Sequence, residues 1–484
     1  MRTKEEILKG RELTDFMTTC ALDFTFFIEE LIGLVGGKEL KLTEFHKEWI
    51  EAIQTHDRVA ILAPTGFGKT NLLGVCYPIW RALFNNNERF LIVSNAQHQS
   101  VKILSEIKEI IENNEILLAL KPEDPDKWSQ TEIQTTNSCR FFCKPYNVNI
   151  KGYHVDYILC DEADSYRDPE LFFDYVVPRA EARRGKVCCI STPESIAALM
   201  SRLKTNKEYW YKEYPAIINY TGDMWSGTSI YPERYTIERL KTIHSSLGHN
   251  KFMKNYMVDS TAPAENALFP PGLILNSCDD KLAFNNTKGK DEMVFLACDF
   301  AIASGPDADF DAYTVVSKHK DGNITIKHGE IHKGFSTSLK IKRIMEICKE
   351  FPIIRIIIDP SSVGAAVIEE LRAQFYPADA CEVHSAARSR MLVDLRNLMG
   401  DPEADPPIQS KLIIPRSPED SRTIAYTDRL IKELVAFAEI RPLGGVSTVY
   451  RSRAKHDDTV MSLAMACKVA LASNKYDSSL WATG

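Results

Sequence analysis

The stretch Ala60-Ile-Leu-Ala-Pro-Thr-Gly-Phe-Gly-Lys-Thr70 constrains this chain most. An apolar strand that runs into a glycine-rich turn and then into a helix is the setting of a phosphate-binding loop. Gly66 and Gly68 let the backbone aim its N–H groups at phosphate oxygens. Lys69 supplies a point charge to the β and γ phosphates, and Thr70 supplies a hydroxyl to Mg²⁺. The contact set is therefore Thr65, Gly66, Phe67, Gly68, Lys69 and Thr70, with Ala63 standing where the general pattern has glycine. The plainer alternative is a glycine turn that happens to precede Lys-Thr, and the strand and helix on its two sides weigh against it.

A second apolar strand, Tyr157-Ile-Leu-Cys-Asp-Glu162, ends in two acids. Asp161 is suited to hold Mg²⁺ through Thr70 or water, and Glu162 to polarise an attacking water. Alone, the pair reads equally as acids at a helix start; beside a phosphate loop it favours hydrolysis of ATP over mere binding. A third strand ends at Cys189-Ile-Ser-Thr-Pro193, where Ser191 and Thr192 can sense a γ-phosphate or simply end the strand.

These motifs sit in a pattern of short apolar runs alternating with amphipathic segments: Val59 to Ala63, Phe90 to Ser94, Tyr157 to Cys160 and Val187 to Ser191, with Val101 to Asn113 helical. Such alternation predicts an α/β fold with a mostly parallel sheet. Residues 1–57 read as helical, 58–256 as the nucleotide domain, 257–290 as a Pro- and Gly-containing linker, 291–473 as a second α/β domain and 474–484 as a frayed tail. The second domain opens with strands at Val294 to Phe300, Ala312 to Lys318, Asn323 to His328 and Ile353 to Asp359, with a hairpin turn at Asp321-Gly322.

Acids end or cap three separated elements of that second domain: Asp299, Asp359 and Asp457, with Asp458 as an alternate fourth. Carboxylates gathered from distant segments are what two Mg²⁺ or Mn²⁺ ions need to activate water against a phosphodiester. The competing reading makes Asp299 and Asp359 turn residues and Asp457 and Asp458 caps of the last helix. Asp307, Asp309 and Asp311 crowd near Asp299 and either add a ligand or solvate a loop.

Charge narrows the partners. With 59 basic and 66 acidic residues the chain carries −7, which excludes a wholly basic nucleic-acid coat. Between 410 and 455, however, nine basic residues face five acids, the local sign a DNA-facing surface needs. Arg179 to Lys186 is a second basic candidate. The twelve cysteines lack zinc spacing and read as reduced, mostly buried thiols. The charged N-terminus does not read as a signal peptide, and Cys20 to Gly36 carries too many acids for a membrane span, so no membrane partner is expected.

A phosphate loop with Asp161-Glu162 and Ser191-Thr192, followed by Asp299, Asp359 and His456-Asp457-Asp458, resembles the large terminase subunit of tailed viruses over nearly the whole chain. The resemblance implies a P-loop ATPase domain followed by an RNase H-like nuclease domain. It further implies translocation of double-stranded DNA and cutting of concatemers, in a homo-oligomeric ring, in the family usually a pentamer, on the portal with a small terminase subunit. Such a protein works in the host cytoplasm, transiently docked on the procapsid. Ser191 to Pro193 would be the coupling motif, and Leu42 to Lys47 the adenine-recognising motif, with His46 where Gln is usual. The trans-acting finger would be Lys151, Arg140 or Arg179. A DNA helicase or restriction-type translocase, and a nucleotide-switched DNA tether, are the rival readings.

Overall fold

The computed structural model describes residues 4–35, 38–39, 42–147, 150–166, 169–263, 266–285, 292–301, 310–361, 363–440, 449–452 and 456–473. The chain divides into two compact units, 1–262 and 263–484.

The first unit is built on a seven-stranded sheet. Its strands are β1 (Arg58–Leu62), β2 (Arg89–Ser94), β3 (Glu132–Gln134), β4 (Arg140–Pro145), β5 (Tyr157–Asp161), β6 (Lys186–Ser191) and β7 (Trp210–Glu213), in the order β3-β4-β2-β5-β6-β1-β7. Every pairing is parallel except that of the edge strand β3 with β4. Both faces are covered: Val59 and Ile61 of β1 enter one apolar cluster, and Ala60 and Leu62 enter the other. This two-sided burial is why the strands read as continuous apolar runs.

The N-terminal segment is less uniformly helical than its periodicity suggests. Helices at Lys4–Leu22, Phe24–Phe26 and Phe27–Ile32 end at Gly33, whose φ of +59° breaks the run. A two-stranded ladder, Leu34–Val35 with Lys38–Glu39, follows before helix α1 (Glu44–Thr55).

The second unit carries a mixed seven-stranded sheet made of β8 (Cys278–Asp279), β9 (Met293–Asp299), β10 (Asp311–Lys318), β11 (Ile324–His332), β12 (Ile353–Ile358), β13 (Ala378–Ala380) and β14 (Leu412–Pro415). The order is β8-β14-β11-β10-β9-β12-β13. β9, β10 and β11 form an antiparallel meander, and β12 joins β9 in parallel, the arrangement expected of an RNase H-like domain. Gly322, at φ +89°, turns the chain between β10 and β11 where Asp-Gly was read as a hairpin. The stretch read as a linker contains a helix, Pro271–Ser277, and β8, so part of it belongs to this unit's own sheet. Leu273 and Ile274 of this stretch are buried, which the scatter of prolines obscured.

Three helices place the second unit's acids: α2 (Ser385–Leu398), α3 (Ser421–Val435) and α4 (Asp458–Ala472). Helix α4 packs on β9 and β10. A hairpin of β15 (Phe437–Ile440) and β16 (Val449–Ser452) lies beside this sheet, with β16 against α2. All twelve cysteines are free and ten are buried. Among the described residues no helix is long and apolar enough to cross a membrane.

Candidate functional sites

The phosphate loop leaves β1 at the carboxyl edge of the first sheet and enters a helix at Thr70. Gly66 and Gly68 hold φ of +83° and +89°, values that only glycine adopts without strain. Thr65 and Gly66 are exposed and Gly68 is half-buried, whereas the Phe67 ring is fully buried, so Phe67 offers only its backbone. That ring stacks on Tyr235 at 4.8 Å, and the Tyr235 hydroxyl donates to the Thr65 carbonyl at 3.4 Å. A Cβ on Gly66 would stand 2.2 Å from that hydroxyl.

Lys69 folds back over the loop, donating to the carbonyls of Ala63 at 2.6 Å and Pro64 at 3.1 Å. Burial pulls its ammonium down to about 8, against the opposing charges of Glu162 and Asp161. The Thr70 hydroxyl donates to Asp161 Oδ1 at 2.9 Å, so the sequence pair meets across 91 residues. Burial, then the charge of Glu162, raises the Asp161 carboxyl to about 6, opposed by Thr70 and Lys69. A hydroxyl and a carboxylate at this spacing suit a hard cation that takes oxygen ligands, so the residues fit Mg²⁺.

Glu162 sits just past the end of β5 with φ +49° and ψ +44°, a left-handed conformation for a residue with a side chain. Ser191 Oγ and Thr192 Oγ1 each lie 3.4 Å from its Oε2, bringing the end of β6 to the candidate water-polarising acid. Asp164, which sequence reasoning missed, ties the same turn down. Its Oδ2 accepts from Glu194 N–H at 2.6 Å and its Oδ1 from Met200 N–H at 2.8 Å, while its own N–H donates to Ser191 Oγ at 3.1 Å. Burial pushes this carboxyl up to about 7. The available signal was a third acid three residues after Asp161 in a turn closing a buried strand.

His46 requires a correction. It is fully buried, and both ring nitrogens are used within the chain. Nδ1 accepts from Thr43 N–H at 3.1 Å, so Nε2 bears the hydrogen and donates to the Phe67 carbonyl at 2.8 Å. His46 therefore braces the phosphate loop from α1, with no ring nitrogen left to read an adenine. Burial lowers its pKa to about 4, keeping the ring neutral.

Of the three candidate finger residues, Arg140 opens β4 and the Arg179 carbonyl accepts from Val155 N–H just before β5. Both lie towards the amino edge of the parallel strands, opposite the phosphate loop. Lys151 is exposed, with its ammonium 4.6 Å from the Tyr175 ring centroid. In the Arg179 to Lys186 segment, Arg183 pairs with Asp156 at 2.9 Å and Lys186 donates to the His56 carbonyl at 2.9 Å, so these two charges are internally engaged.

In the second unit Asp299 ends β9 and Asp359 immediately follows β12. Because these strands are parallel, with Cys298 beside Ile358, the two acids leave the same edge side by side. Asp457 and Asp458 open α4. Burial first, then the charges of Asp458, Asp359 and Asp457, drive the Asp299 carboxyl well above the usual range, with Arg388 opposing. All four acids thus share one electrostatic neighbourhood.

They are not gathered into a finished ligand shell. Among the described residues no three His, Cys, Asp or Glu stand arranged to hold a metal ion. Basic and backbone groups hold the acids instead. Arg388 pairs with Asp457, while Asp458 Oδ2 lies 3.9 Å from Arg429 and accepts from Phe310 N–H at 3.3 Å. Asp359 Oδ1 accepts from Ser361 N–H at 3.0 Å, the turn contact that the plainer reading predicted. Four convergent carboxylates repel one another and suit divalent cations in charge and donor chemistry.

The capping alternative for Asp457 fails, because Asp457 makes no side-chain cap bond. Glu433 of α3 does that work: its Oε2 accepts from Thr459 N–H at 2.8 Å, Thr459 Oγ1 at 2.5 Å and Val460 N–H at 3.3 Å. Asp311 is structural, its Oδ1 held by Lys340 at 2.7 Å and by Ala301 N–H at 3.0 Å. Asp307 and Asp309 lie outside the described residues, as do Arg441, Arg453 and Lys455 of the basic stretch and the tail 474–484. Several other charges of that stretch are paired, Arg416 with Asp428 at 3.7 Å and Arg429 with Glu433 at 2.8 Å, which reduces its net positive field.

No family model matches the sequence, and no curated protein matches it significantly. Solved structures do match. The crystal structure of the bacteriophage HK97 large terminase shares 14% identity over 92% of this chain and 98% of its own, with a TM-score of 0.49. The large terminase of the thermophilic bacteriophage D6E in complex with ADP shares 11% over 90% and 100%, at 0.36. The magnesium-bound large terminase nuclease of the thermophilic phage G20c shares 22% over 43% and 98%, at 0.32. In fold, the chain is similar to bacteriophage large terminases. The likeness is one of architecture, and residue roles rest on the two sites themselves.

Proposed function

We propose that the chain is the large subunit of a viral DNA-packaging terminase, an ATPase that translocates double-stranded DNA and a metal-dependent nuclease that cuts it. One observation carries the reading: a single chain joins a phosphate loop facing Asp161 and Glu162 to a second, mixed-sheet unit whose strand ends bring Asp299 and Asp359 together beside Asp457 and Asp458.

In the first unit Gly66 to Thr70 grip the phosphates of ATP through backbone N–H groups and Lys69. Thr70 and Asp161 would hold Mg²⁺, which would supply charge neutralisation to the phosphates. Glu162 orients the attacking water, and Ser191 and Thr192 beside its carboxylate link hydrolysis to movement of the chain. In the second unit Asp299, Asp359, Asp457 and Asp458 would hold Mg²⁺ or Mn²⁺, which would supply water activation and leaving-group stabilisation. Until then Arg388 and Arg429 balance the charges of Asp457 and Asp458. The working assembly is a homo-oligomeric ring on the portal of a procapsid, fed by a small terminase subunit. Lys151, exposed and with its ammonium over the Tyr175 ring, reaches the γ-phosphate of a neighbouring subunit.

A helicase needs a second, mostly parallel motor domain, whereas the second unit holds an antiparallel meander. A passive tether has no use for a Glu162 held in a left-handed turn beside two hydroxyls. The test is ATP hydrolysis, with and without duplex DNA, together with plasmid cleavage in Mg²⁺ or Mn²⁺. DNA-stimulated hydrolysis and cleavage by the same chain are expected; hydrolysis with no cutting in either metal would overturn the terminase reading.

A further inference from the structure

Beside the acidic cluster lies a cavity of about 360 Å³, within the size range of small-ligand sites. Helix α2 forms one wall with Ser385, Arg388 and Ser389, which share a helix face through their three- and four-residue spacing. Strand β16 forms another with Arg451 and Ser452, and Asp457 closes the end towards the acids. The lining therefore brings two guanidinium groups and several hydroxyls together beside Val383 and the Tyr450 ring, with one carboxylate whose charge Arg388 already engages. Arg451 is exposed and has no ion-pair partner among the described residues, unlike Arg416 and Arg429.

Guanidinium and hydroxyl donors converging on a polar hollow are the usual partners of phosphate oxygens. We propose that this cavity seats a backbone phosphate of the DNA strand being cut, so that Arg388 and Arg451 fix the register of that strand against Asp457. The assignment rests on the nuclease reading above and adds a phosphodiester subsite to it. It gives Arg388 two tasks in sequence. The guanidinium holds Asp457 while the site is free of DNA, and it turns to the phosphate when a strand arrives. Arg451 has one task, the phosphate.

The test uses the full chain and a short duplex. Binding is measured in EDTA across a KCl series for wild type, Arg451→Ala and Arg451→Lys, and cleavage kinetics are measured in Mg²⁺ or Mn²⁺. Removing one phosphate-contacting cation should lower the slope of log affinity against log salt by about one, and Lys should restore it. KM for cleavage should rise roughly fivefold in Arg451→Ala while kcat changes less than about twofold, because Arg451 acts on binding. An unchanged slope with wild type still cutting removes the subsite and leaves the nuclease reading intact. A wild type that never cuts removes the nuclease reading, while the slope in EDTA still decides the phosphate contact. Inorganic phosphate titrated alone covers the other source: binding that Arg451→Ala abolishes while the duplex slope stays unchanged marks a free-anion site and overturns the proposal.

Discussion

The carboxyl edges of the two sheets both present acids, yet they are prepared in opposite ways. In the first unit Asp161 meets Thr70 at 2.9 Å and Lys69 is already drawn over the loop, so the groups proposed to take a nucleotide and its cation stand in register. In the second, Asp457 and Asp458 are turned to Arg388 and Arg429, and no finished ligand shell exists among the described residues. A site built around one carboxylate and one hydroxyl can be preorganised by hydrogen bonds alone. A site built from four carboxylates has to be held by countercharges until its own cations arrive, so its activity should depend more steeply on metal concentration.

The largest expected effects separate the two sites. Lys69→Ala should cut ATP hydrolysis by roughly 10²–10³-fold and leave plasmid cleavage in place, and Asp299→Ala should do the reverse. Loss of both activities in either variant would break the comparison, since the sites would then not be separable. Next comes Gly66→Ala, which meets the Tyr235 hydroxyl at 2.2 Å and forces a left-handed alanine. The backbone term alone costs about 1–2 kcal/mol. ATP affinity should fall on the order of tenfold with cleavage unaffected, as read by nucleotide titration.

Glu433→Ala sharpens the other half. It leaves the N–H groups of Thr459 and Val460 without their acceptor at the start of the helix that carries Asp458, a loss of about 2 kcal/mol. The melting temperature of the second unit should drop a few degrees, and cleavage should fall several-fold at unchanged ATPase. Unchanged cleavage would separate the helix cap from the acids.

The smallest effect is a pH dependence. His46 is held near 4 in the fold and titrates near 6.5 when unfolded. Between those values the unfolded chain binds the extra proton, so the stability from a neutral His46 is present above about 6.5 and is lost as pH falls towards 4. His46→Gln should flatten the acid limb of the melting curve over that window. A limb that keeps its slope would assign the acid sensitivity to other groups.

Much of this architecture is legible in residue order, although strands such as Arg140–Pro145 and Trp210–Glu213 do not stand out in it, and the shortest exceptions share a cause. The strands Tyr157–Asp161 and Met293–Asp299 announce themselves because two-sided burial makes them continuously apolar and an acid marks each end. Glu132–Gln134 and Cys278–Asp279 escape notice because two or three residues carry no periodicity. Candidate acids could be named from strand ends, whereas their partners could not. Arg388 reaches Asp457 across 69 residues and Glu433 reaches Thr459 across 26, and nothing in the local pattern of either segment encodes the meeting. His46 erred the other way: its motif suggested a nucleotide contact, and only its complete burial reveals a brace.

The left-handed backbone at Glu162 has an evolutionary consequence. A glycine there would relax the turn and raise the melting temperature slightly while removing the acid proposed to orient the attacking water. Thermal selection acting on the fold alone would therefore drift towards a sturdier chain that no longer works. Under the proposed function glutamate in that conformation trades backbone ease for an acid beside the phosphate loop, and a stability screen of position 162 run beside an ATPase assay would display the conflict directly.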